Sequence, residues 1–337
     1  MREGRNAGLL TSFLLALLPS AVQIPIRRLM GAKIGKRARI GFGTLLYADK
    51  VEVGQNASIG PFSFIRARTF TAGASCRIRP FTVLRASEID IGAYAHIGST
   101  VIVTSELSKR SRFTLGDHSL INPFCFIEVG EGVTIGSQTG IGGQTMIFTH
   151  AVWADYLRGG HVSYGPVVVE DEVWIAWRAS ILANVTIEKN AMVAAGSVVN
   201  KSVPANSLAV GVPAKVVSGV MGRGLSDAER SQRIQHILAD YAENGLPANE
   251  QPVPCLSLAR LQFSSIIAVD QPGGLKKGDL LFILNQPLSE SEKQALLAQD
   301  VTVVDHPNRR IYVTSANPYI MDFVSFLNRY GIRLSHS

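Results

Sequence analysis

The 337-residue sequence contains little of what metal or disulfide chemistry needs. Its only three cysteines, Cys76, Cys125 and Cys255, lie too far apart for a disulfide framework or a metal knuckle. This usage fits a reducing compartment. Aromatic residues are also scarce, at 7%, whereas glycine is abundant, with 31 residues. The composition therefore favours a β architecture punctuated by glycine over a disordered chain.

Net positive charge is missing outside the N-terminus. The formal net charge is +7, and residues 1–39 account for all of it, so the remaining chain is neutral. Nucleic-acid binding would need a basic surface stripe interleaved with aromatic residues, and no such stripe follows. The sequence therefore predicts no nucleic-acid partner.

Charge of either sign is absent from residues 7–26. A signal peptide would have a basic segment in front and a small-residue cleavage site, and both occur. A membrane span would need about 20 apolar residues, but two prolines and a glutamine interrupt the second half. The interpretation we favour is a short apolar helix that caps the next domain or lies on a membrane, with Arg27 and Arg28 at the headgroups.

Internal periodicity is the strongest signal in the sequence. Glycines recur with a step of 19 in two parallel series, the first through Gly35, Gly54, Gly73 and Gly92, the second through Gly41, Gly60 and Gly98, with Arg79 at the one position that lacks a small residue. The step shortens to 18 towards residue 194, and the period within each step is six. A coiled coil would need a period of seven, and a β-sandwich would need turn clusters every 8–12 residues.

A hexad with one aliphatic residue and a small residue after it fits one short strand and a turn. Three hexads then close one triangular coil, with the aliphatic side chains stacked inside and the small residues at the tight corners. The period therefore predicts a mainly β solenoid of stacked parallel strands.

The segment that carries the most specific motif runs from Val169 to Val217, "VEDEVWIAWRASILANVTIEKNAMVAAGSVVNKSVPANSLAVGVPAKVV". With the hexads before it, this stretch resembles the hexapeptide-repeat acyltransferases, in the branch of galactoside, maltose and serine acetyltransferases and polysaccharide O-acetyltransferases. The resemblance covers residues 31–217 and implies a left-handed parallel β-helix, an acetyl-CoA co-substrate, no metal and a homotrimer.

Four segments are expected along the chain. Residues 1–30 form an N-terminal apolar and basic helical segment, 31–217 the β-helix, 218–248 a helix and linker, and 249–337 a small α+β domain. The helix is expected to begin with a capping box of Ser226 and Glu229. Strand-like runs follow, with helical segments near 289–299 and 317–331, and nothing in this tail is recognisable.

The longest interruption of the repeat is "IFTHAVWADYLRGGHVSYGPVVV", which leaves the stack after Gly142 and returns at Val169; a shorter insertion, "TSELSKRSRF" at 104–113, has no derivable role. A solenoid has no cleft of its own, and loops on rigid scaffolds carry functional residues. The resemblance implies that His150, at the start of this loop, is the general base of acyl transfer, a role that suits imidazole. Glu128 either orients that imidazole or is a solvated corner carboxylate.

The acceptor and the donor are expected to contact further residues. Asn122 either contacts the acceptor or belongs to an asparagine ladder at a coil corner, and His161 lines the loop or is structural. Trp177 stands where relatives carry a small side chain, and it would narrow the channel or stack on the sugar. The resemblance assigns the coenzyme A contacts to five positions, which are Trp174, Ala195, Asn200, Lys201 and Lys215.

The sequence disfavours two other classes of function. Carbonic anhydrases of similar fold need three zinc-binding histidines at a fixed spacing, which His118, His150 and His161 lack. A non-catalytic β-helical scaffold would not need the donor motif, which is intact apart from Trp177.

The sequence thus predicts a cytoplasmic acetyl-CoA-dependent O-acyltransferase for a sugar hydroxyl of a surface polysaccharide or of its lipid- or nucleotide-linked precursor. Peripheral contact with the cytoplasmic membrane through residues 1–39 is expected. N-acyl transfer to a sugar nucleotide is the alternative reaction.

Overall fold

The computed structural model describes residues 8–105, 109–152, 155–218 and 225–244, together with short segments between 266 and 336. The chain divides into two compact units, Met1–Arg223 and Gly224–Ser337. The first unit contains both the N-terminal helices and the β-helix. The division into four segments stays a prediction.

Two short helices, α1 (Leu9–Ala16) and α2 (Ser20–Leu29), precede the first strand, where the sequence predicts one. They break at Pro19, whose ring cannot continue a helix. Both pack on the first coil, because Ser12 Oγ donates to the Leu46 carbonyl (3.1 Å) and Ser20 Oγ accepts from the Ile40 amide (3.0 Å). No helix in the described part of the chain is both long and apolar enough to span a membrane.

Short strands fill the first unit. Those before the interruption are β1 (Lys33–Ile34), β2 (Arg39–Ile40), β3 (Leu45–Val53), β4 (Ser58–Ile59), β5 (Phe64–Ala72), β6 (Arg77–Ile78), β7 (Val83–Arg85), β8 (Glu88–Ile91), β9 (His96–Ile97), β10 (Ile102–Thr104), β11 (Arg112–Leu115), β12 (Leu120–Ile121), β13 (Phe126–Glu128), β14 (Val133–Ile135), β15 (Gly140–Ile141) and β16 (Met146–Ile147). Those in and after it are β17 (His150–Val152), β18 (Val162–Tyr164), β19 (Val167–Val169), β20 (Trp174–Ile175), β21 (Ser180–Ile181), β22 (Thr186–Ile187), β23 (Met192–Val193), β24 (Val198–Val199), β25 (Ser207–Gly211) and β26 (Ala214–Ser218).

These strands stack into three faces of a triangular prism. The front face follows the order β3-β5-β7-β10-β13-β16-β21-β24, and a second face follows β1-β3-β5-β8-β11-β14-β19-β22, because the long strands β3 and β5 bend across the corner between them. The third face runs β2-β4-β6-β9-β12-β15-β20-β23-β25, and β26 ends it by antiparallel pairing. This is the left-handed parallel β-helix that the hexads and the resemblance predict.

The core is a stack of inward side chains, most of them aliphatic, with Phe70 and Phe113 among them. On the front face its members are Leu46, Ile65, Leu84, Val103, Ile127, Ile147, Ile181 and Val199, which we call the inward row; each is at most 1% exposed. Burial of one such side chain stabilises the fold by roughly 1.5–3 kcal/mol. Their removal from water in every coil is what holds successive coils together.

The small residues act differently from expectation. At Gly60 a Cβ would stand 2.4 Å from the backbone nitrogen of Pro80 in the next coil, so glycine is needed there for close stacking. The left-handed turn falls two residues later, on Phe62 (φ 55°), and likewise on Phe81 (φ 61°) and Phe124 (φ 65°). Many corners therefore carry a strained non-glycine residue, which the stack imposes, while glycine takes the left-handed turn at Gly43 and Gly196.

The second unit begins with α3 (Asp227–Asn244), and its predicted capping box is confirmed, since Ser226 and Glu229 hydrogen-bond reciprocally. The helix α4 (Glu290–Ala298) has a second capping box, through Ser289 and Glu292. A five-stranded sheet contains β27 (Ile266–Ala268), β28 (Leu280–Ile283), β29 (Thr302–Asp305), β30 (Arg310–Tyr312) and β31 (Ser335–His336). The predicted α+β class is confirmed; the helix expected at 317–331 lies outside the described residues, apart from position 327.

Candidate active site

The interruption of the repeat is a β-hairpin on the front face. Strands β17 and β18 pair antiparallel, with His150 opposite Tyr164 and Val152 opposite Val162. The chain leaves the stack later and returns earlier than the sequence analysis expects, because β16 still pairs with β13 and β21, and β19 begins at Val167. His150 is thus the first hairpin residue that pairs, directly after the last coil before the interruption.

His150 lies against Glu128 from the coil below. Its Nδ1 is 2.9 Å from Glu128 Oε2. A carboxylate can only accept, so Nδ1 carries the proton in this contact and Nε2 is left as the basic nitrogen. The Glu128 side chain is 11% exposed and the His150 side chain 44%, so a buried anion holds an imidazole that solvent and ligand can reach. Of the two sequence interpretations of Glu128, the geometry favours the orienting one.

Three further donors hold the carboxylate in place. The Gly130 amide donates to Oε1 (2.7 Å) and the Thr149 amide to Oε2 (3.1 Å), while the Thr149 hydroxyl also bonds Oε2. The Glu131 amide in turn donates to Thr149 Oγ1 (3.1 Å). Charge-assisted bonds from several donors keep a buried carboxylate in one rotamer. The direction of the His150 ring is therefore set by this network.

Beside His150 lies an open cavity of about 420 Å³. It is lined by residues from three levels of the stack and from the hairpin, namely Phe148, His150, Ala151, Ser163, Leu182, Ala183 and Asn200. Phe148 is packed at 6.0 Å from Phe126, between ring centroids. The cavity combines mostly apolar walls with a few polar groups, which is typical of small-molecule sites.

Three of the seven lining residues come from one structural position, the residue that follows each inward aliphatic residue of the front face. We call these residues the outward row. They are Tyr47, Arg66, Arg85, Thr104, Glu128, Phe148, Leu182 and Asn200, in the order of the coils. Glu128 and three cavity residues thus occupy four successive levels of one row.

The structure brings together only part of the predicted donor set. Asn200 lines the cavity with His150, and the exposed Lys201 follows it. Trp174 lies on the third face, and Lys215 lies opposite Val210 in the terminal hairpin of that face. Ala195 is at the corner between β23 and β24. The contacts of these residues with a donor stay predictions.

The predicted acceptor residues are also spread. Asn122 Nδ2 donates to the Ile141 carbonyl (3.1 Å), a bond inside the stack that fits the corner alternative. Trp177 is 51% exposed at the corner before β21, and a Cβ on Gly143 would be 2.9 Å from its Cζ3. His161 is an exposed hairpin residue. None of these three lines the cavity near His150, and their roles stay predictions.

Several site residues were missed at the sequence level. Thr149, which clamps Glu128, and the cavity residues Phe148 and Leu182 have no motif of their own. The signal was available, because each of the two cavity residues directly follows the inward isoleucine of its coil. Aligning the hexads coil by coil would have placed them in one row with Glu128 and Asn200.

Among the residues that the structure describes, no three His, Cys, Asp or Glu side chains are arranged to hold a metal ion. His118 stacks on Tyr94, at 4.8 Å between ring centroids, at a corner of the stack. His150 is engaged by Glu128, and His161 is an exposed hairpin residue.

Comparison with curated proteins finds relatives that each carry the name "putative acetyltransferase". The chain is 36% identical over 87 residues to one from Schizosaccharomyces pombe, which covers 25% of this chain and 42% of the relative. It is 36% identical over 109 residues to one from Saccharomyces cerevisiae (32% and 56%) and 33% identical over 116 residues to one from Staphylococcus aureus (34% and 58%). The resemblance to the hexapeptide-repeat acyltransferases is confirmed. The chain spans about half the length of the curated relatives it matches.

Comparison with solved structures finds acetyltransferases whose TM-scores against this chain are low. The polySia-specific acetyltransferase NeuO is matched with a TM-score of 0.38 and 16% identity, over 63% of this chain and 97% of the other. A hexapeptide-repeat acetyltransferase of Vibrio cholerae, solved with acetyl coenzyme A, is matched with a TM-score of 0.31 and 23% identity, over 64% and 86%. No family model matches the chain.

Proposed function

We propose that this protein is an O-acyltransferase that moves an acetyl group from acetyl-CoA to a sugar hydroxyl of a surface polysaccharide or of its lipid- or nucleotide-linked precursor. The observation that carries the proposal is the pair of His150 and buried Glu128 beside an apolar cavity. The curated relatives and the motif over residues 169–217 support the reaction class.

The geometry accounts for each proton of the reaction. His150 Nε2 accepts the proton of the sugar hydroxyl while its oxygen attacks the thioester carbonyl, and Glu128 stabilises the imidazolium that forms. The tetrahedral intermediate collapses as the C–S bond breaks. The leaving thiolate takes the proton back from Nε2, which gives the acetyl ester and coenzyme A and restores neutral His150.

The donor is proposed to enter along the C-terminal coils. Leu182 and Ala183 offer apolar walls for a pantetheine arm, and Asn200 offers an amide for its polar groups. The exposed Lys201 next to them would meet a phosphate. One chain leaves this cavity open, so we propose that a second subunit of a homotrimer supplies the opposite wall. A donor-binding assay across a dilution series that dissociates the trimer would test this, since monomers that bind acetyl-CoA as tightly would contradict it.

The N-terminal helices support a peripheral membrane location at the cytoplasmic side. Four apolar residues of the first helical segment, Leu10, Phe13, Leu14 and Leu17, are 51–74% exposed and lie three or four positions apart, on one side. We call them the apolar stripe. Exposed basic residues follow on the first coil, at Lys36, Arg37 and Arg39, and anionic headgroups would attract them.

Of the two arginines expected at the headgroups, neither is free for that role. Arg27 is buried, with its guanidinium bonded to the Leu46 carbonyl (3.1 Å), and burial lowers its pKa to about 10. Arg28 donates to the carbonyls of Ile34 and Gly35. Both hold α2 on the first coil, so the headgroup contact is assigned to the first-coil residues.

Acetyl transfer to a panel of free, nucleotide-linked and lipid-linked sugars, read by mass spectrometry, tests the reaction. Hydroxyl and amino sugars in the panel separate O- from N-transfer. His150→Ala should lower turnover by roughly 10²–10⁴-fold, the usual loss for a general base, and leave donor affinity unchanged. His161→Ala is the comparison variant: this exposed hairpin histidine does not line the cavity, so a loss of turnover confined to His150→Ala assigns the base to His150. A panel without transfer, or an active His150→Ala enzyme, would contradict the proposal.

A further inference from the structure

Two arginines occupy neighbouring levels of the outward row, in line with the candidate active site. Arg66 pairs in register with Tyr47 on one side and with Arg85 on the other. Continuing in the same register, the row passes from Arg85 to Thr104, and Thr104 pairs with Glu128. Because adjacent strands are about 4.8 Å apart, the Arg85 backbone lies about 10 Å from that of Glu128 along the stack.

Neither guanidinium is neutralised by the described part of the chain. Arg66 and Arg85 have no carboxylate partner there, and the Nε of each is buried without a hydrogen-bond acceptor. The Arg66 guanidinium lies 6.0 Å from the Tyr47 ring centroid, which fixes its orientation and leaves its charge unpaired. Two like charges on adjacent levels repel, and unmet buried donors cost free energy.

Other arginines of the same β-helix form ion pairs with glutamates of adjacent coils. Arg112 bonds Glu88 across adjacent coils (2.6 Å), and Arg110 bonds Glu131 (3.1 Å). Both of these pairs are on the second-face side of the coil. On the front face the row instead keeps two cations on adjacent levels, and its one acid, Glu128, lies two levels from Arg85 and is engaged by His150.

We propose that Arg66 and Arg85 form an anion subsite for the acceptor. They would bind a carboxylate of an acidic sugar, or a phosphate carried by the sugar, while a hydroxyl of the same molecule reaches His150. The guanidinium fork suits both groups, since each offers two oxygens in one plane to parallel N–H donors. Thr104, the row member between Arg85 and Glu128, is a small polar residue.

The inference rests on the proposed function for the identity of the ligand as acceptor, but the subsite can be measured without turnover. The probes are an oligosaccharide of uronic acid, its carboxyl-reduced counterpart and a hexose 1-phosphate, with binding followed by calorimetry on the full chain. The variants are Arg85→Gln and, for retained charge without the planar fork, Arg85→Lys. Arg77→Gln is the matched control, an exposed arginine on the third face.

We expect Arg85→Gln to weaken the binding of at least one anionic probe by about 10-fold or more, because a charge-assisted bidentate pair is lost. The affinity of Arg85→Lys should lie between those of the wild type and Arg85→Gln. The neutral probe and the Arg77→Gln protein should bind as in the wild type, and added salt should shrink the difference. The uronic acid and the phosphate arms tell which anion is used. Melting temperatures identify a variant that has lost its fold. If Arg85→Gln does not fold, the affinities of Arg85→Lys are compared with those of the wild type instead.

The proposal is overturned if the wild type binds neither anion more tightly than the neutral probe, or if Arg85→Gln changes the affinity for all three probes equally. Acetyl transfer to the neutral oligosaccharide is followed in parallel. If anion binding behaves as expected and no acceptor is ever acetylated, the proposed function fails while the subsite stands.

Discussion

The inward and outward rows of the front face differ although they are neighbours in sequence. The inward row is aliphatic in all eight coils, from Leu46 to Val199, and is buried throughout. The outward row changes at almost every level, from aromatic to basic to acidic to apolar to amide. Packing constrains the first row, because every member must fit between the same residues above and below. The second row is free to carry chemistry, which is why the candidate site could be built on a uniform scaffold.

The largest effect on stability is expected at two neighbouring residues, Ile181 of the inward row and Leu182 of the outward row. Ile181→Ala should lower the free energy of unfolding by about 2–5 kcal/mol, because it leaves a cavity in the stack. Leu182→Ala, the next residue, should cost less than about 1 kcal/mol, since that side chain is 37% exposed, yet it should weaken donor binding. Denaturant unfolding and donor titration of both variants check this; equal losses of stability would erase the distinction between rows.

A similar contrast is expected in the first helix, where exposed and buried leucines alternate. Phe13→Ser with Leu14→Ser should reduce binding to vesicles of phosphatidylglycerol and phosphatidylcholine by about 10-fold or more, and leave the melting temperature unchanged. Leu15→Ser, at a buried position, should lower the melting temperature instead. Co-sedimentation with vesicles measures the first effect. Unaltered vesicle binding by the double variant would rule out the stripe as a membrane contact.

The cysteines offer a milder probe of the inside of the stack. Burial raises the pKa of the Cys76 thiol to about 12 and that of Cys125 to about 11, so almost no thiolate exists at neutral pH. Both should resist iodoacetamide in the native protein and react once it unfolds. Peptide mapping by mass spectrometry distinguishes these sites from Cys255. Rapid native labelling of either buried thiol would show that the stack opens locally.

The smallest effect concerns His96 on the third face. Burial, with Arg79 and Arg77 nearby, holds its pKa below the ordinary 6.5. The unfolded chain therefore binds this proton more readily, so His96 lowers stability progressively as the pH falls below about 6.5 and through its folded pKa. His96→Gln should flatten this part of the pH profile of stability. A profile identical to that of the wild type would assign the pH dependence to other groups.

The two rows also explain what could be predicted from the sequence. The hexads predicted the β-helix because the inward aliphatic residues repeat with little variation. The resemblance pointed to His150, and the need of an imidazole for an orienting group pointed to Glu128; the structure joins the two at 2.9 Å. Thr149 and Leu182 were missed because their roles depend on register between coils that are 21 and 34 residues apart. The burial of Arg27 follows from packing on the first coil, which no local pattern records.

The central claim is that His150 and Glu128 act as one unit, and a double-mutant cycle on turnover tests it most directly. Glu128→Gln should lower kcat well below the wild type, because the amide cannot stabilise the imidazolium, and His150→Ala should lower it by roughly 10²–10⁴-fold. The double variant should be no slower than His150→Ala alone, since the carboxylate acts only through the imidazole. If the two losses instead multiply in the double variant, Glu128 contributes independently of His150 and the account is contradicted.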